Sequence, residues 1–280
     1  MRDEQCVAFL QWALPQIQMR WPGFRRVRAQ ACKRIARRHV QLGLATVDDY
    51  RYYLAQHADE WQVLDACLRI SISRFYRDKL MFAYLEQAVL PVLARQALAS
   101  GHKHLDIWCV GCGNGEEPYT LAIIWHLQLA QQFPALALRI VASDADPAMC
   151  RRAEQACYAF GSVKNLPAPW RAQVFTQEAD RYCLKPAYRR ECTFLVQDIR
   201  ETMPPGRFDL VLCRNLVFTY FDEALQRETL ARIRTRLKTN GALVIGIHEN
   251  LPAAVSGFAP WQEKLRIYRK TDVVSGLQPI

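Results

Sequence analysis

The stretch that most constrains this chain is His104–Leu121, which reads His-Leu-Asp-Ile-Trp-Cys-Val-Gly-Cys-Gly-Asn-Gly-Glu-Glu-Pro-Tyr-Thr-Leu. Leu105 to Cys109 have strand character, glycines stand at 111, 113 and 115, and a helix opens at Glu116-Glu117-Pro118. Glycines in such a turn let a ligand approach the backbone closely, so strand, turn and helix N-terminus together predict a nucleotide-binding corner. Spaced glycines alone describe many tight turns. The two residues that follow narrow the choice. A dinucleotide site needs a glycine at 116 and an open helix N-terminus for pyrophosphate. Glu116 and Glu117 stand there instead, and their charge repels phosphate. S-Adenosylmethionine (SAM) carries an ammonium and a sulfonium but no phosphate. A carboxylate in this loop suits that cation and also the positive end of the helix dipole. The competing reading is that the two glutamates only cap a surface helix.

A chain of 280 residues can bury a full core as one large domain or two smaller ones. Hydrophobic content of 51% and charged content of 23% are those of a soluble globular protein. No apolar run is long enough to span a bilayer, and residues 1–20 are broken by polar and charged side chains. No membrane insertion and no signal peptide are expected, and the cytoplasm is the expected address. Cys109-x-x-Cys112, with His102 and His104 upstream, has no second compact pair to complete a zinc site. Cys109, Cys192 and Cys213 sit in apolar runs where a thiol behaves as a small hydrophobe, so buried thiols are expected and a metal is not.

Up to about residue 95 the pattern is helical throughout, and it predicts an N-terminal helical domain over 1–95. Thr46 with Asp49 three residues on predicts a helix start. The net charge of +10 is concentrated here: between Arg20 and Arg38 stand eight Lys or Arg and no acid. A helix predicted over 24–42 puts Val27, Ala31, Ile35 and Leu42 on one stripe. At 100° per residue, Arg26, Lys33 and Arg37 fall together on the opposite face, while Arg34 and Arg38 lie nearer the apolar edge. Such a face points to an acidic protein partner or, less well, to nucleic acid; a merely solvated face is the alternative.

From Leu105 strands and helices alternate, which predicts an α/β domain over 96–280 with a mainly parallel sheet covered on both faces. Strands are expected at 138–142, 192–196, 208–213 and 242–247, with a last edge strand at 264–270. A helix is expected over 222–238, closed by Asn240-Gly241. Residues 160–192 read as a small insertion. In an open sheet of this kind ligands bind beyond the carboxyl ends of the strands. Those ends carry the glycine loop (Gly111, Gly113), Asp144, Asp198 and Cys213-Arg214-Asn215. Asp144 is placed to accept both ribose hydroxyls, and Asp146 to cap the helix at Pro147.

Four segments taken together resemble the successive motifs of CheR-type methyltransferases, SAM-dependent enzymes that esterify glutamates of chemotaxis receptors. They are Ser-Arg-Phe-Tyr-Arg77-Asp, Trp108-Cys-Val-Gly-Cys-Gly-Asn-Gly-Glu-Glu-Pro-Tyr-Thr, Ala142-Ser-Asp-Ala-Asp146 and Phe208-Asp-Leu-Val-Leu-Cys-Arg-Asn215. The resemblance covers almost the whole chain and implies a class I SAM-methyltransferase, Rossmann-like sheet with a helical domain in front. It implies that Glu117, Asp144, Asp198, Ile199, Cys213 and Arg214 line the cofactor. It also implies that Ser71, Ser73 and Arg77 reach over it from the helical domain, with Arg77 beside the reactive methyl. Departures from the family pattern touch the substrate side more than the cofactor side: Thr219 replaces a usual tyrosine, Tyr220-Phe221 follow one position later, Gly246-Ile-His248-Glu249 replaces Gly-His-Ser-Glu, and Ser73 stands where threonine is usual. Tyr220 joins Arg26, Lys33 and Arg37 as a candidate partner contact. A surface ion pair of Arg77 with Asp78 or Glu86 is the alternative to its catalytic role.

A glutamate acceptor is already ionised at neutral pH and needs no general base. What remains is alignment, and a guanidinium at Arg77 can hold one carboxylate oxygen while the other attacks. The expected function is transfer of methyl from SAM to glutamates of a receptor-like helical protein. A different acceptor on the same fold (a small carboxylate or RNA) and a non-catalytic SAM-binding module are the alternatives.

Overall fold

Apolar runs long enough to be buried on both faces become central strands, and the two best examples here, over 104–110 and 208–213, lie side by side. The computed structural model describes residues 2–253 and 256–271. Its strands are β1 (His104–Val110), β2 (Ala137–Asp144), β3 (Cys157–Ala159), β4 (Phe175–Glu178), β5 (Arg181–Leu184), β6 (Cys192–Val196), β7 (Phe208–Cys213), β8 (Leu237–Ile245), β9 (Phe258–Gln262) and β10 (Ile267–Lys270). The main sheet has the order β6-β2-β1-β7-β8-β10-β9. Strands β6, β2, β1, β7 and β8 are parallel, and β10 is antiparallel to both of its neighbours. The chain runs outward from β1 through β2 to β6, then returns to β7 on the other side. The switch point therefore lies between β1 and β7, where an open parallel sheet leaves a crevice for ligand.

Two compact units form, Met1–Ile72 with Thr219–Gln226, and Ser73–Phe218 with Arg227–Ile280. The helices over 79–99 group with the sheet, not with the N-terminal helices as the 1–95 boundary expected. The reason is their apolar face: Phe82, Leu85, Val89, Leu90 and Leu93 are buried in one cluster with Leu105 and Ile107 of β1 and Leu121 to Ile124 of the next helix. The insertion is a three-stranded antiparallel sheet, β3-β5-β4, in which Cys157 and Cys183 face each other across the ladder and form a disulfide.

The predicted helix over 222–238 ends at Arg236. Leu237 already pairs with Phe208, and the Lys238 ammonium binds the carboxylates of Asp106 (3.0 Å) and Asp209 (2.8 Å). Both acids are nearly buried, so the cation they require draws residues 237–241 into β8, and Asn240-Gly241 is not a helix cap. The expected edge strand at 264–270 is β10, an interior strand. The edge is β9, which has no alternation in its sequence to announce it.

In the helical unit, Asp3–Ala13, Arg28–Gln41, Val47–Gln56 and Glu60–Leu68 pack Phe9, Leu10, Ala31, Ile35, Tyr50, Leu54 and Leu64 inward. Cys6 and Cys32 are joined by a second disulfide. The Thr46 cap forms as expected: its hydroxyl accepts from the Asp49 N–H (3.1 Å) and its own N–H donates to Asp49 (2.7 Å). The helix expected over 24–42 is broken at residues 25–27. Gly23 sits so close to the Thr219 carbonyl that a Cβ there would lie 2.3 Å from its oxygen, and the Phe24 ring packs on Tyr220 at 4.8 Å. That docking fixes the turn Trp21–Phe24, and the chain redirects before Arg28.

Candidate functional site

The glycine loop holds its shape through left-handed backbone at Gly111 (φ 67°), Gly113 (φ 55°) and Gly115 (φ 86°). At Gly115 a side chain would also collide, since a Cβ would lie 2.9 Å from that of Ala153. The Gly111 and Cys112 N–H groups donate to the Ser143 carbonyl of β2 at 2.8 and 3.0 Å, which folds the loop over the strand ends. Asp144 follows at once. Its Oδ2 accepts the Gly113 N–H and its Oδ1 the Asp146 N–H, both at 2.9 Å. These two bonds hold the Asp144 carboxylate rigid beside the loop. Asp146 caps the helix Pro147–Gln155 through the Ala148 N–H (2.8 Å), as expected.

The two glutamates after the loop have different fates. Glu116 is only 2% exposed; it accepts the Ser162 hydroxyl at 2.8 Å, and its other oxygen is buried without a hydrogen-bond partner. It does not form part of a charged rim. Glu117 alone faces the switch point, where its Oε2 accepts from the Arg214 guanidinium at 2.6 Å. Arg214 stands at the end of β7, with its side chain 3% exposed. Its Nη2 donates to the Asp78 carboxylate, its Nε is buried without a hydrogen-bond partner, and its guanidinium lies 5.6 Å from the centre of the Phe82 ring.

Arg77 belongs to the unit that contains the sheet, not to the helical unit from which it was expected to reach. It is flanked by two residues in left-handed conformation, Tyr76 (φ 54°) and Asp78 (φ 63°). A bulky residue adopts that conformation only when its surroundings impose it. Here the Tyr76 N–H donates to the Thr120 hydroxyl (3.1 Å) and the Phe75 N–H to the Ser162 carbonyl (3.0 Å). Thr120 lies on the helix Glu116–Ile124, which also carries Glu117. The segment with Arg77 is therefore tied to the helix with Glu117.

Ser73 and Arg77 fall in the sheet-bearing unit and are half-buried, whereas Ser71 falls in the helical one. Asp198, two residues past β6, binds the Arg200 guanidinium (Nε 3.0 Å, Nη2 2.7 Å) and the Arg200 N–H (2.9 Å). Ile199 is 5% exposed. Cys213 is fully buried at the end of β7, and burial pushes its thiol well up. Lys33 and Arg37 are exposed on Arg28–Gln41, while Arg34 donates to the Arg69 carbonyl (2.7 Å) and Arg38 forks onto Glu60, as their position near the apolar edge predicted. Arg26 is exposed but lies in the turn before that helix, so the helical spacing does not align it with Lys33 and Arg37. Tyr220 packs on Phe24, and its carbonyl accepts the Arg20 N–H at 2.8 Å. Sequence reasoning missed Asp78, Thr120 and Ser162. Asp78 entered the sequence reading only as a possible surface partner of Arg77, whereas the partner it binds, Arg214, lies 136 residues away.

The acceptors Glu117 and Asp144 suit a ligand that presents donors and positive charge, namely a ribose diol and an ammonium. The helix that opens beside the loop carries Glu116 and Glu117 in its first turn, and their charge disfavours a phosphate there. Residues 71–266 match the family described as CheR methyltransferase, SAM binding domain. The chain belongs to the CheR methyltransferase family. Its cofactor is SAM, and the mixed seven-stranded sheet is the class I, Rossmann-like fold expected. A chemotaxis protein methyltransferase of Borreliella burgdorferi is 26% identical over 75% of this CheR-type chain and 75% of its own length. One from Salmonella typhimurium is 29% identical over 81% and 77%. An uncharacterized 104.1 kDa protein of Rhodobacter capsulatus is 30% identical over 85% of the chain but only 25% of its own length, so the chain spans about a quarter of that relative. Among the described residues no helix is long and apolar enough to cross a membrane.

Proposed function

We propose that the protein transfers the methyl group of SAM to glutamate side chains of an acidic, helical, receptor-like protein. The observation that carries this reading is Arg77, held between two left-handed residues on a segment hydrogen-bonded to the helix of Glu117. When bound, SAM supplies an activated methyl on a sulfonium. Glu117 receives the ammonium, and Asp144 receives the ribose hydroxyls. The Arg77 guanidinium holds one oxygen of the acceptor carboxylate and leaves the other to attack, so no proton moves and no base is required. What this chain's residues would contribute is alignment of the acceptor oxygen with the methyl donor, which can supply several kcal/mol. Lys33 and Arg37 are exposed on one helix that also lacks acids, and they attract an acidic partner from a distance.

The test uses the whole chain with labelled SAM and a receptor-derived acidic helix as acceptor, followed by mild base. Release of volatile methanol supports an ester on carboxylate; a base-stable label removes the glutamate acceptor.

A further inference from the structure

Arg214 occupies an unusual electrostatic position. Its side chain is 3% exposed, so its charge is withdrawn from water and needs local compensation. Glu117 supplies one carboxylate at 2.6 Å and Asp78 the other. Glu117 stands beyond β1 on the helix Glu116–Ile124, whereas Asp78 is the immediate neighbour of Arg77. A planar guanidinium binds the two through separate nitrogens in a fixed fork and so sets their relative placement, whereas a lysine ammonium, which can bridge two carboxylates as Lys238 does, leaves that placement to a flexible stem. The backbone at 76 and 78 is left-handed and needs restraint from outside. The Tyr76 bond to Thr120 and the Asp78 pair with Arg214 are among these restraints, beside the Tyr76 ring on Phe82 and Trp170 and the Met81 N–H on the Asp78 carbonyl.

We infer that Arg214 is a positioning residue that joins the carboxylate receiving the cofactor's ammonium to the turn that carries Arg77. Cofactor binding at Glu117 and placement of the Arg77 guanidinium are then one coupled event. Arg214 occupies Glu117 Oε2, which leaves Oε1 as the oxygen to receive the ammonium. The inference rests on the proposed roles of Glu117 and Arg77, and goes beyond them by naming Asp78 and Arg214 as the link.

The experiment measures SAM affinity by calorimetry and single-turnover methyl transfer at saturating SAM, for Asp78→Asn, Arg214→Lys and Arg77→Ala. Asp78→Asn, an isosteric change, is expected to keep SAM affinity within about 3-fold and to slow transfer about 30-fold, because it acts only on alignment. Arg214→Lys is expected to keep SAM binding within about 10-fold while losing transfer to a similar degree. In an Arg77→Ala background, Asp78→Asn should add almost nothing, since residues acting as one unit are not additive. Transfer at the wild-type rate in Asp78→Asn, or losses that simply multiply in the double variant, overturns the inference. Amide exchange over residues 73–78 reads the link without any acceptor: SAM should slow exchange there in the wild type and much less in Asp78→Asn. Equal slowing in both proteins, or none in the wild type, also overturns it. A SAM-dependent slowing that Asp78→Asn removes, together with failure to form an ester, would instead sink only the acceptor assignment.

Discussion

The corner around Glu117 and the helix Arg28–Gln41 are both rich in charge, yet they hold it in opposite ways. At the corner Glu116 and Arg214 are buried and Glu117 is half-buried, and each has a named partner within hydrogen-bonding distance. On the helix the charges divide. Arg34 and Arg38 are committed to Arg69 and Glu60, while Lys33 and Arg37 stay in solvent. Desolvated, paired charges fix geometry, and removing one partner leaves the other stranded at high cost. Solvated charges fix nothing locally. They act over about a Debye length, and salt weakens them.

That contrast can be broken or sharpened by substitution. The largest expected effect is at Arg77: alanine should lower methyl transfer about 1000-fold, as removal of a charge-stabilising donor does elsewhere, with SAM affinity nearly unchanged by calorimetry. A large loss of SAM binding with no separate effect on turnover would contradict the role. Next is Arg38→Ala, expected to cost about 3 kcal/mol of stability in chemical denaturation because it strands a nearly buried Glu60. Burial of Glu60 raises its carboxyl, but hydrogen bonds from Arg38 and Tyr50 outweigh this and hold it below the ordinary glutamate range. A depressed carboxyl stabilises the fold above its unfolded value, and that stability is lost as pH falls through the folded one. Arg38→Ala should therefore flatten the acid limb of the stability curve; an unchanged limb would show that the pair is not the cause.

Third, Asp144→Ala should weaken SAM binding about 30-fold, the loss expected for hydrogen bonds to a charged acceptor. Unchanged affinity would show that the ribose lies elsewhere. The smallest effect is at the exposed pair. Lys33→Glu with Arg37→Glu should lower kcat/KM for an acidic protein acceptor about 10-fold at low salt, with the difference shrinking as salt is added and SAM affinity unaffected. A salt-independent loss would mean that these residues make a fixed contact instead.

Several features of the site were legible along the chain because their causes are local. The glycines at 111, 113 and 115, the caps at Thr46 and Asp146, and the alternation of strands from residue 104 each depend on neighbours a few positions away. Other features were not legible, for an equally physical reason. The Cys157–Cys183 and Cys6–Cys32 pairs, the Lys238 bridge that pulls residues 237–241 into β8, and the inward turn of Glu116 toward Ser162 all join residues far apart in sequence. The expected rim of two glutamates shrank to one for that reason.

Taken alone, the sequence determined the class of the sheet, the glycine loop after its first strand and the sign of charge that follows the loop, because glycine conformation, apolar periodicity and carboxylate charge act over a few residues. Only the tertiary structure decided which of those charges remain at the site and that Arg77 travels with the sheet. Ion pairs such as Arg214 with Asp78 and Glu117 are chosen by proximity after folding, when burial makes an unpaired charge too costly to keep.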